Sequence, residues 1–127
     1  MTDGGIDVVH PVIGVWTATL KGSRRFGPDY ATDSFHPDGA MTITVSCYTA
    51  HGVWGATDAG TVRFRAVAPL GPAEGQAGWH TLVLDVRVAP EGNELSLDGT
   101  HARPTPSGAP TVTTVTGSGE RLVLDPA

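Results

Sequence analysis

A chain of 127 residues is long enough for one domain with a single core and too short for two. Its formal net charge of -5, from 13 acidic and 8 basic residues without a basic cluster, disfavours nucleic acid and anionic membranes as partners. The single cysteine, Cys47, excludes an intramolecular disulfide and a cysteine-based zinc cluster. We therefore expect one globular domain over residues 1–127.

The amino-terminal segment carries two acidic residues before its first apolar pair and has no basic stretch followed by a long apolar run. It therefore lacks the pattern of a secretory signal. The chain also has no apolar stretch of the length, about 18 residues, that a membrane span needs. These features predict a cytoplasmic protein.

Short runs of Val, Thr, Ile and Leu recur along the chain between clusters of Gly, Pro, Asn and Asp, and helical spacing is missing. This pattern predicts β-strands joined by turns. The predicted strands, in chain order, are residues 12–21, 30–36, 40–48, 51–56, 61–68, 78–89, 94–103, 111–116 and 121–124. The chain is therefore predicted to be all-β, with eight or nine strands.

Most of the predicted strands are separated by tight turns, which indicates a meander of sequential antiparallel neighbours. The turn signals lie at Asp38-Gly39, Gly60, residues 90–94 and residues 117–119. Longer connections rich in Pro and Gly are predicted to form loops at the ends of the sheet, where they would be candidate lids. These loops cover residues 22–29, 69–77 and 104–110.

Apolar and polar side chains alternate within the strands, so that each strand has one apolar face. In residues 78–89 that face contains His80, Leu82 and Leu84. In the third strand it ends at Cys47, which we interpret as a small buried residue. Because no helix is available to cover these faces, the sheet must cover itself. Closure into a barrel or a flattened two-sheet sandwich would satisfy this, and we predict an eight- to nine-stranded antiparallel meander closed into a barrel.

The first predicted strand contains the tripeptide Gly-Val-Trp at residues 14–16. It resembles the Gly-x-Trp signature that opens the first strand of lipocalins and of the wider calycin superfamily. The resemblance implies a calycin-like barrel whose closed end is sealed by Trp16, with Arg121 packed across it, and whose interior binds a small apolar molecule. More loosely, the chain is similar to small intracellular calycin-like barrels of bacteria, including natural-product cyclases that resemble allene oxide cyclase.

Three polar residues are candidates for catalysis. His80 and His101 share inward faces with aliphatic residues, and imidazole is suited to proton transfer near neutral pH. The alternative is that each is a hydrogen-bonded interior or rim residue. Asp33 shares a face with Ala31 and Phe35, which turns it either to solvent or to the interior, where burial would raise its proton affinity.

The other histidines and the known catalytic motifs give no sign of a metal site, a serine nucleophile or a bound nucleotide. His10, His36 and His51 are predicted at the surface, and no triad of metal ligands, serine elbow or phosphate-binding loop occurs. The sequence therefore predicts neither a metal nor a cofactor. Small inward residues are predicted to leave volume inside the barrel; they are Gly14, Ala18, Ala66 and Gly99.

Two functions follow from this pattern. The first is the binding of a small apolar molecule by a pocket that we assign to Trp16, Met41, Tyr48, Trp54, Phe64, Leu82 and Leu84. The second is a cofactor-independent cyclase or isomerase of a bacterial natural-product pathway that uses the same cavity, with His80, His101 or Asp33 polarising the substrate. A filled barrel that makes only protein contacts, and a homodimer, are left open.

Overall fold

A computed structural model describes residues 10–22, 29–70, 78–105 and 107–123. Strands dominate these ranges, which contain no helix and hence none able to cross a membrane. The strands are β1 (Gly14–Gly22), β2 (Asp29–Phe35), β3 (Ala40–Thr44), β4 (Thr49–Asp58), β5 (Thr61–Pro69), β6 (Trp79–Val88), β7 (Glu94–Arg103) and β8 (Thr111–Arg121).

The eight strands form one closed barrel in sequence order. Each strand pairs antiparallel with the next, and β8 pairs antiparallel with β1, where Trp16 lies opposite Arg121 and Gly22 opposite Val115. Closure pairs both edges of the sheet, which removes the free strand edges of an open sheet. The prediction of an all-β antiparallel meander closed into a barrel is confirmed.

The alternation of side chains explains why these segments form strands. In β6 every second residue, including His80, Leu82 and Leu84, is buried, whereas the residues between them are half-buried or exposed. Complete burial of a side chain such as Leu84 contributes about 1.5–3 kcal/mol to folding. The outward positions of the barrel are rich in threonine, whose β-branched side chain suits a pleated surface.

The predicted turn at residues 117–119 is not a turn: β8 runs through the Gly-Ser-Gly sequence to Arg121. Of the predicted ninth strand, residues 121–124, only Arg121 belongs to β8, and residues 122 and 123 lie beyond its end. Gly117 and Gly119 lie opposite Leu20 and Ala18 of β1. A Cβ atom on Gly117 would stand 2.6 Å from the backbone oxygen of Thr19. The glycines therefore allow β1 and β8 to approach closely where the barrel closes, a role that the local sequence pattern does not distinguish from a turn.

Two further positions differ from the sequence predictions. Strand β3 ends at Thr44, four residues earlier than predicted, and the following turn leaves Cys47 exposed. His10 is buried rather than at the surface, because its Nδ1 accepts a hydrogen bond from the Val12 backbone at 3.1 Å and its Nε2 lies 3.2 Å from the Asp58 carbonyl oxygen. His36 and His51 are exposed, as predicted.

The two ends of the barrel differ. At one end lie the β2–β3, β4–β5 and β6–β7 turns, together with the segment at residues 10–13 that precedes β1. We call this the turn end. The other connections leave from the opposite end, which we call the loop end. The three predicted lids connect strands whose ends lie at the loop end, but residues 23–28, 71–77 and 106 of these lids lie outside the described residues, as does Leu124 of the predicted ninth strand.

Candidate functional site

The turn end is sealed by Trp16 and Arg121. Trp16 is fully buried, and its indole Nε1 donates a 2.8 Å hydrogen bond to the backbone oxygen of Val12. The guanidinium carbon of Arg121 lies 4.3 Å from the centroid of the Trp16 ring, and the group also donates to the backbone oxygens of Gly92 and Ile13, each at 2.8 Å. Arg121 therefore ties the segment before β1 to the β6–β7 turn over the indole.

Other aromatic residues pack beside this seal. Phe35 makes edge contacts with Phe64 and Trp54, with centroids 5.9 and 6.2 Å apart, and Trp54 contacts His10 at 5.8 Å. Met41 lies opposite Phe35 on the neighbouring strand. The predicted ligand-lining residues Trp16, Met41, Trp54 and Phe64 therefore all contribute to the packed turn end.

Smaller side chains face the interior from the middle of the barrel to the loop end. They are the buried residues Ala18, Ala31, Ala50, Ala66 and Ala68. Leu82 lies between Ala66 and His101 across the sheet, and Leu84 lies opposite Phe64. Large aromatic side chains thus fill the turn end, whereas alanines, together with the buried side chains of Leu20, Val45 and Val115, face the interior nearer the loop end.

Two of the small residues predicted to leave volume do not do so. A Cβ atom on Gly99 would lie 2.0 Å from the backbone oxygen of Val83, and one on Gly14 would lie 2.8 Å from Nη1 of Arg121. The space at Gly99 is therefore taken by the adjacent strand, and that at Gly14 by the arginine. Ala18 and Ala66 are buried on the interior face, as the prediction requires.

A cluster of three rings lies at the loop end. Nδ1 of His80 and Nε2 of His101 are 3.0 Å apart, which is hydrogen-bonding distance. The ring of Tyr48 stacks on that of His80 at 4.2 Å between centroids and 15° between planes, and it lies 6.5 Å from that of His101. The structure thus brings together the two histidines that the sequence singled out and adds Tyr48 to them.

The geometry of the His80–His101 pair defines what it can do chemically. One ring N–H donates a hydrogen bond to the unprotonated ring nitrogen of the other imidazole, so the proton of this bond lies between two basic nitrogens. Both side chains are buried, at 7% and 8% exposure. Such a pair can transfer a proton to or from a neighbouring group, or it can serve only as a hydrogen-bonded structural contact.

Asp33 is the other polar group of the interior. It lies on β2 between Trp16 of β1 and Ile43 of β3, its side chain is fully buried, and neither carboxyl oxygen has a hydrogen-bond partner in the described part of the chain. Burial raises the pKa of Asp33 to about 7, because desolvation disfavours the charged form. Of the two orientations left open by the sequence, the structure shows the interior one.

The surroundings of Asp33 supply no compensating charge. The buried polar residues in the described ranges are His10, Asp33, His80, His101 and Thr113, with no lysine or arginine among them. Asp33 also makes no hydrogen bond with the two histidines, so the three predicted catalytic residues form two separate features, the ring cluster and the carboxyl. A buried carboxyl without a partner costs stability, which makes it a candidate functional group.

Sequence reasoning missed a groove on the outer surface of the barrel. It has a volume of about 890 Å³ and runs over β8, β1, β2 and β3. Thr17, Thr32 and Thr44 stand opposite one another on three adjacent strands and form its floor. In the sequence, the groove is indicated only by the outward-facing threonines of these strands. That they lie side by side follows from the register between the strands.

No protein-family model matches the chain, and neither a curated protein nor a solved structure matches it. Among the described residues, no group of three or more His, Cys, Asp or Glu side chains could hold a metal ion. The site is therefore interpreted from its own geometry, which consists of a sealed turn end, an interior with a buried carboxyl, and a ring cluster at the loop end.

Proposed function

We propose that the barrel binds a small, largely apolar molecule in its interior, which the molecule reaches from the loop end. The observation that carries the proposal is Asp33, whose two carboxyl oxygens are fully buried on the interior face without a hydrogen-bond partner in the described residues. Ligand sites are typically apolar pockets with a few placed polar groups. A bound molecule would supply the donor that Asp33 lacks.

The seal at the turn end supports a calycin-like assignment. The resemblance of Gly14 and Trp16 to the Gly-x-Trp signature implied a buried tryptophan with an arginine across it, and Arg121 lies over the Trp16 ring at 4.3 Å. Barrels of this kind are closed at one end and take their ligands from the other. The proposal accordingly places the ligand along the barrel axis, from Asp33, which lies opposite Trp16, past the alanines to the ring cluster.

The ring cluster gives the proposed pocket a polar and aromatic rim. Tyr48 and His80 present stacked rings, and such surfaces suit flat or unsaturated parts of a ligand. The interior below them supplies aliphatic contacts from Leu82 and Leu84. We still predict that the protein needs no cofactor and is cytoplasmic. A homodimer remains an alternative to a monomer.

The proposal is tested by binding of diphenylhexatriene, a neutral probe that fluoresces in apolar surroundings, together with native mass spectrometry of the freshly purified protein. Ala66→Phe fills the interior at a fully buried position, whereas Val67→Phe, the control, changes the adjacent outward side chain. We expect Ala66→Phe to weaken probe binding by about tenfold or more and Val67→Phe to leave it unchanged.

Circular dichroism and thermal unfolding of both variants establish that the barrel remains folded. A wild-type protein that neither carries an apolar molecule nor binds the probe contradicts the proposal. Equal binding by the wild type and a folded Ala66→Phe variant contradicts it as well, because the probe would then be bound outside the barrel.

A second function, the cofactor-independent cyclase or isomerase, is favoured by the 3.0 Å contact between His80 and His101. In an isomerisation one histidine would take a proton from a carbon of the substrate, and the pair would return a proton to another atom of the same molecule. The enzyme is thus distinguished from a binding protein by proton exchange at carbon.

Incubation of the co-purified molecule with the protein in D2O, followed by mass spectrometry, tests this function. The wild type should introduce deuterium at carbon or convert the molecule, and His80→Phe, which keeps a ring against Tyr48, should lose this activity and remain folded. A wild type that retains the molecule unchanged and without deuterium would leave binding as the function.

A further inference from the structure

The interior carboxyl of Asp33 constrains the chemistry of the ligand, provided that the proposed function holds. Both of its oxygens lack a donor among the described residues, so a complementary group must offer more than one hydrogen. None of the described lysine and arginine side chains fills this role. Lys21, Arg63, Arg65 and Arg87 are exposed, Arg103 is the last residue of β7, and Arg121 is held over Trp16 by backbone oxygens. The described residues therefore leave both carboxyl oxygens without a donor.

Different ligand groups would fit this carboxyl to different degrees. A hydroxyl has a single hydrogen to donate, and a carboxylate has none and adds a like charge. A primary ammonium offers three donors and the opposite charge, so it satisfies both oxygens of Asp33 and neutralises a charge that burial otherwise disfavours. Hydrogen bonds between charged groups are also the stronger ones, above all where water is excluded.

From this geometry we infer that the barrel binds a primary amine with an apolar tail, whose ammonium group is held by Asp33 and whose tail lies among the interior aliphatic side chains. The inference deepens the proposed function and rests on it. The net charge of -5 acts in the same direction, because it attracts cations to the protein and repels anions.

Three probes that share an apolar tail and differ in their head group test the inference: octylamine, octan-1-ol and octanoate. Each is titrated against the wild type at pH 8 in competition with diphenylhexatriene. We expect octylamine to bind about 10- to 100-fold more tightly than octan-1-ol, as a charged hydrogen bond predicts, and octanoate to bind most weakly.

Two variants assign the preference to one residue. Asp33→Asn keeps the size of the side chain and removes its charge, and it should bring octylamine and octan-1-ol to within about threefold of each other. Asp98→Asn removes a carboxyl from the exposed face of β7 and serves as the control, with the wild-type preference retained.

The pH profile gives an independent readout. Octylamine should bind the wild type more tightly as the pH rises from about 5 to 8, because only the ionised carboxyl pairs with an ammonium. The other titratable side chains of the interior and its rim in the described ranges are His10, His80, His101 and Tyr48. A protonated imidazole would also repel an ammonium group, whereas a tyrosine hydroxyl carries no positive charge. The part of the profile due to Asp33 is therefore the difference between wild type and Asp33→Asn.

The results separate the inference from the function on which it rests. If the probe binds inside the barrel but octan-1-ol or octanoate displaces it as well as octylamine does, the inference is overturned and the proposed function stands. The same holds if a folded Asp33→Asn variant keeps the amine preference. If the wild type does not bind diphenylhexatriene or any of the three tails, both fall together.

Discussion

At the scale of single residues, Asp33 should make the stability of the protein depend on pH. The pKa of this carboxyl is about 7 in the folded chain and near 3.8 when it is exposed in the unfolded chain. Between these values the folded protein holds a proton that the unfolded chain releases. The free energy of unfolding is therefore highest, as far as Asp33 affects it, below about pH 4, where the carboxyl is protonated in both states. It falls as the pH rises from about 4 to about 7 and does not change further above that. A difference of about three pH units between the two pKa values corresponds to a loss of about 4 kcal/mol.

This dependence is measurable by urea unfolding at a series of pH values from 4 to 8, as the difference between wild type and Asp33→Asn. We expect the free energy of unfolding of the wild type to fall relative to the variant across this range. Asp33→Leu should be more stable than the wild type at pH 8, because it removes a buried charge. Parallel curves for wild type and Asp33→Asn would show that the carboxyl titrates as an exposed one.

The sequence predicted part of the candidate site at this scale. Alternation along β6 and β7 placed His80 and His101 on inward faces, but it did not show that their ring nitrogens meet at 3.0 Å. It left Asp33 with two possible faces, and it placed His10 and Cys47 wrongly. The placement of these residues depends on contacts with residues distant in the chain or on where a strand ends. The alternation of apolar and polar residues specifies neither of them.

At the scale of strands, the glycines of β8 should be sensitive to substitution. In Gly117→Ala the new Cβ would stand 2.6 Å from the Thr19 backbone oxygen and 2.7 Å from Cδ2 of Leu20, so β1 and β8 would have to separate. We expect a loss of about 1–3 kcal/mol in the free energy of unfolding, as is typical of overpacking. The measurement is denaturant unfolding monitored by tryptophan fluorescence.

Gly55→Ala is the matched control for this experiment. Gly55 also lies in a strand, β4, but a Cβ atom there would have no heavy atom within 4 Å. Its substitution should be neutral or stabilising by about 0.5–1 kcal/mol, since alanine loses less backbone entropy on folding. Equal losses in both variants would mean that strand propensity, and not the close approach of β1 and β8, explains the glycine at residue 117.

The same strand shows why element boundaries were harder to predict than element type. Gly-Ser-Gly at residues 117–119 has the composition of a hairpin turn, and nothing within β8 distinguishes the two roles. The role of these glycines is decided by β1, which is about 100 residues away in sequence and directly adjacent in the barrel. In β7, whose ends carry clear turn signals on both sides, the predicted and observed bounds agree at Glu94–Arg103.

At the scale of the whole molecule, the sequence by itself determined that the chain is all-β and antiparallel and that its sheet covers its own apolar face; the structure decided for a closed barrel over a two-sheet sandwich. The reason is local: repeated one-sided strands without a helix leave the sheet only its own apolar face to pack against. Only the tertiary structure places the Trp16–Arg121 seal at one end of the barrel and the His80–His101 pair at the other. Only the tertiary structure shows that Asp33 is buried in the interior without a partner among the described residues. These features depend on the register between strands and on closure of β8 on β1, which are long-range properties that the alternation within a single strand does not encode.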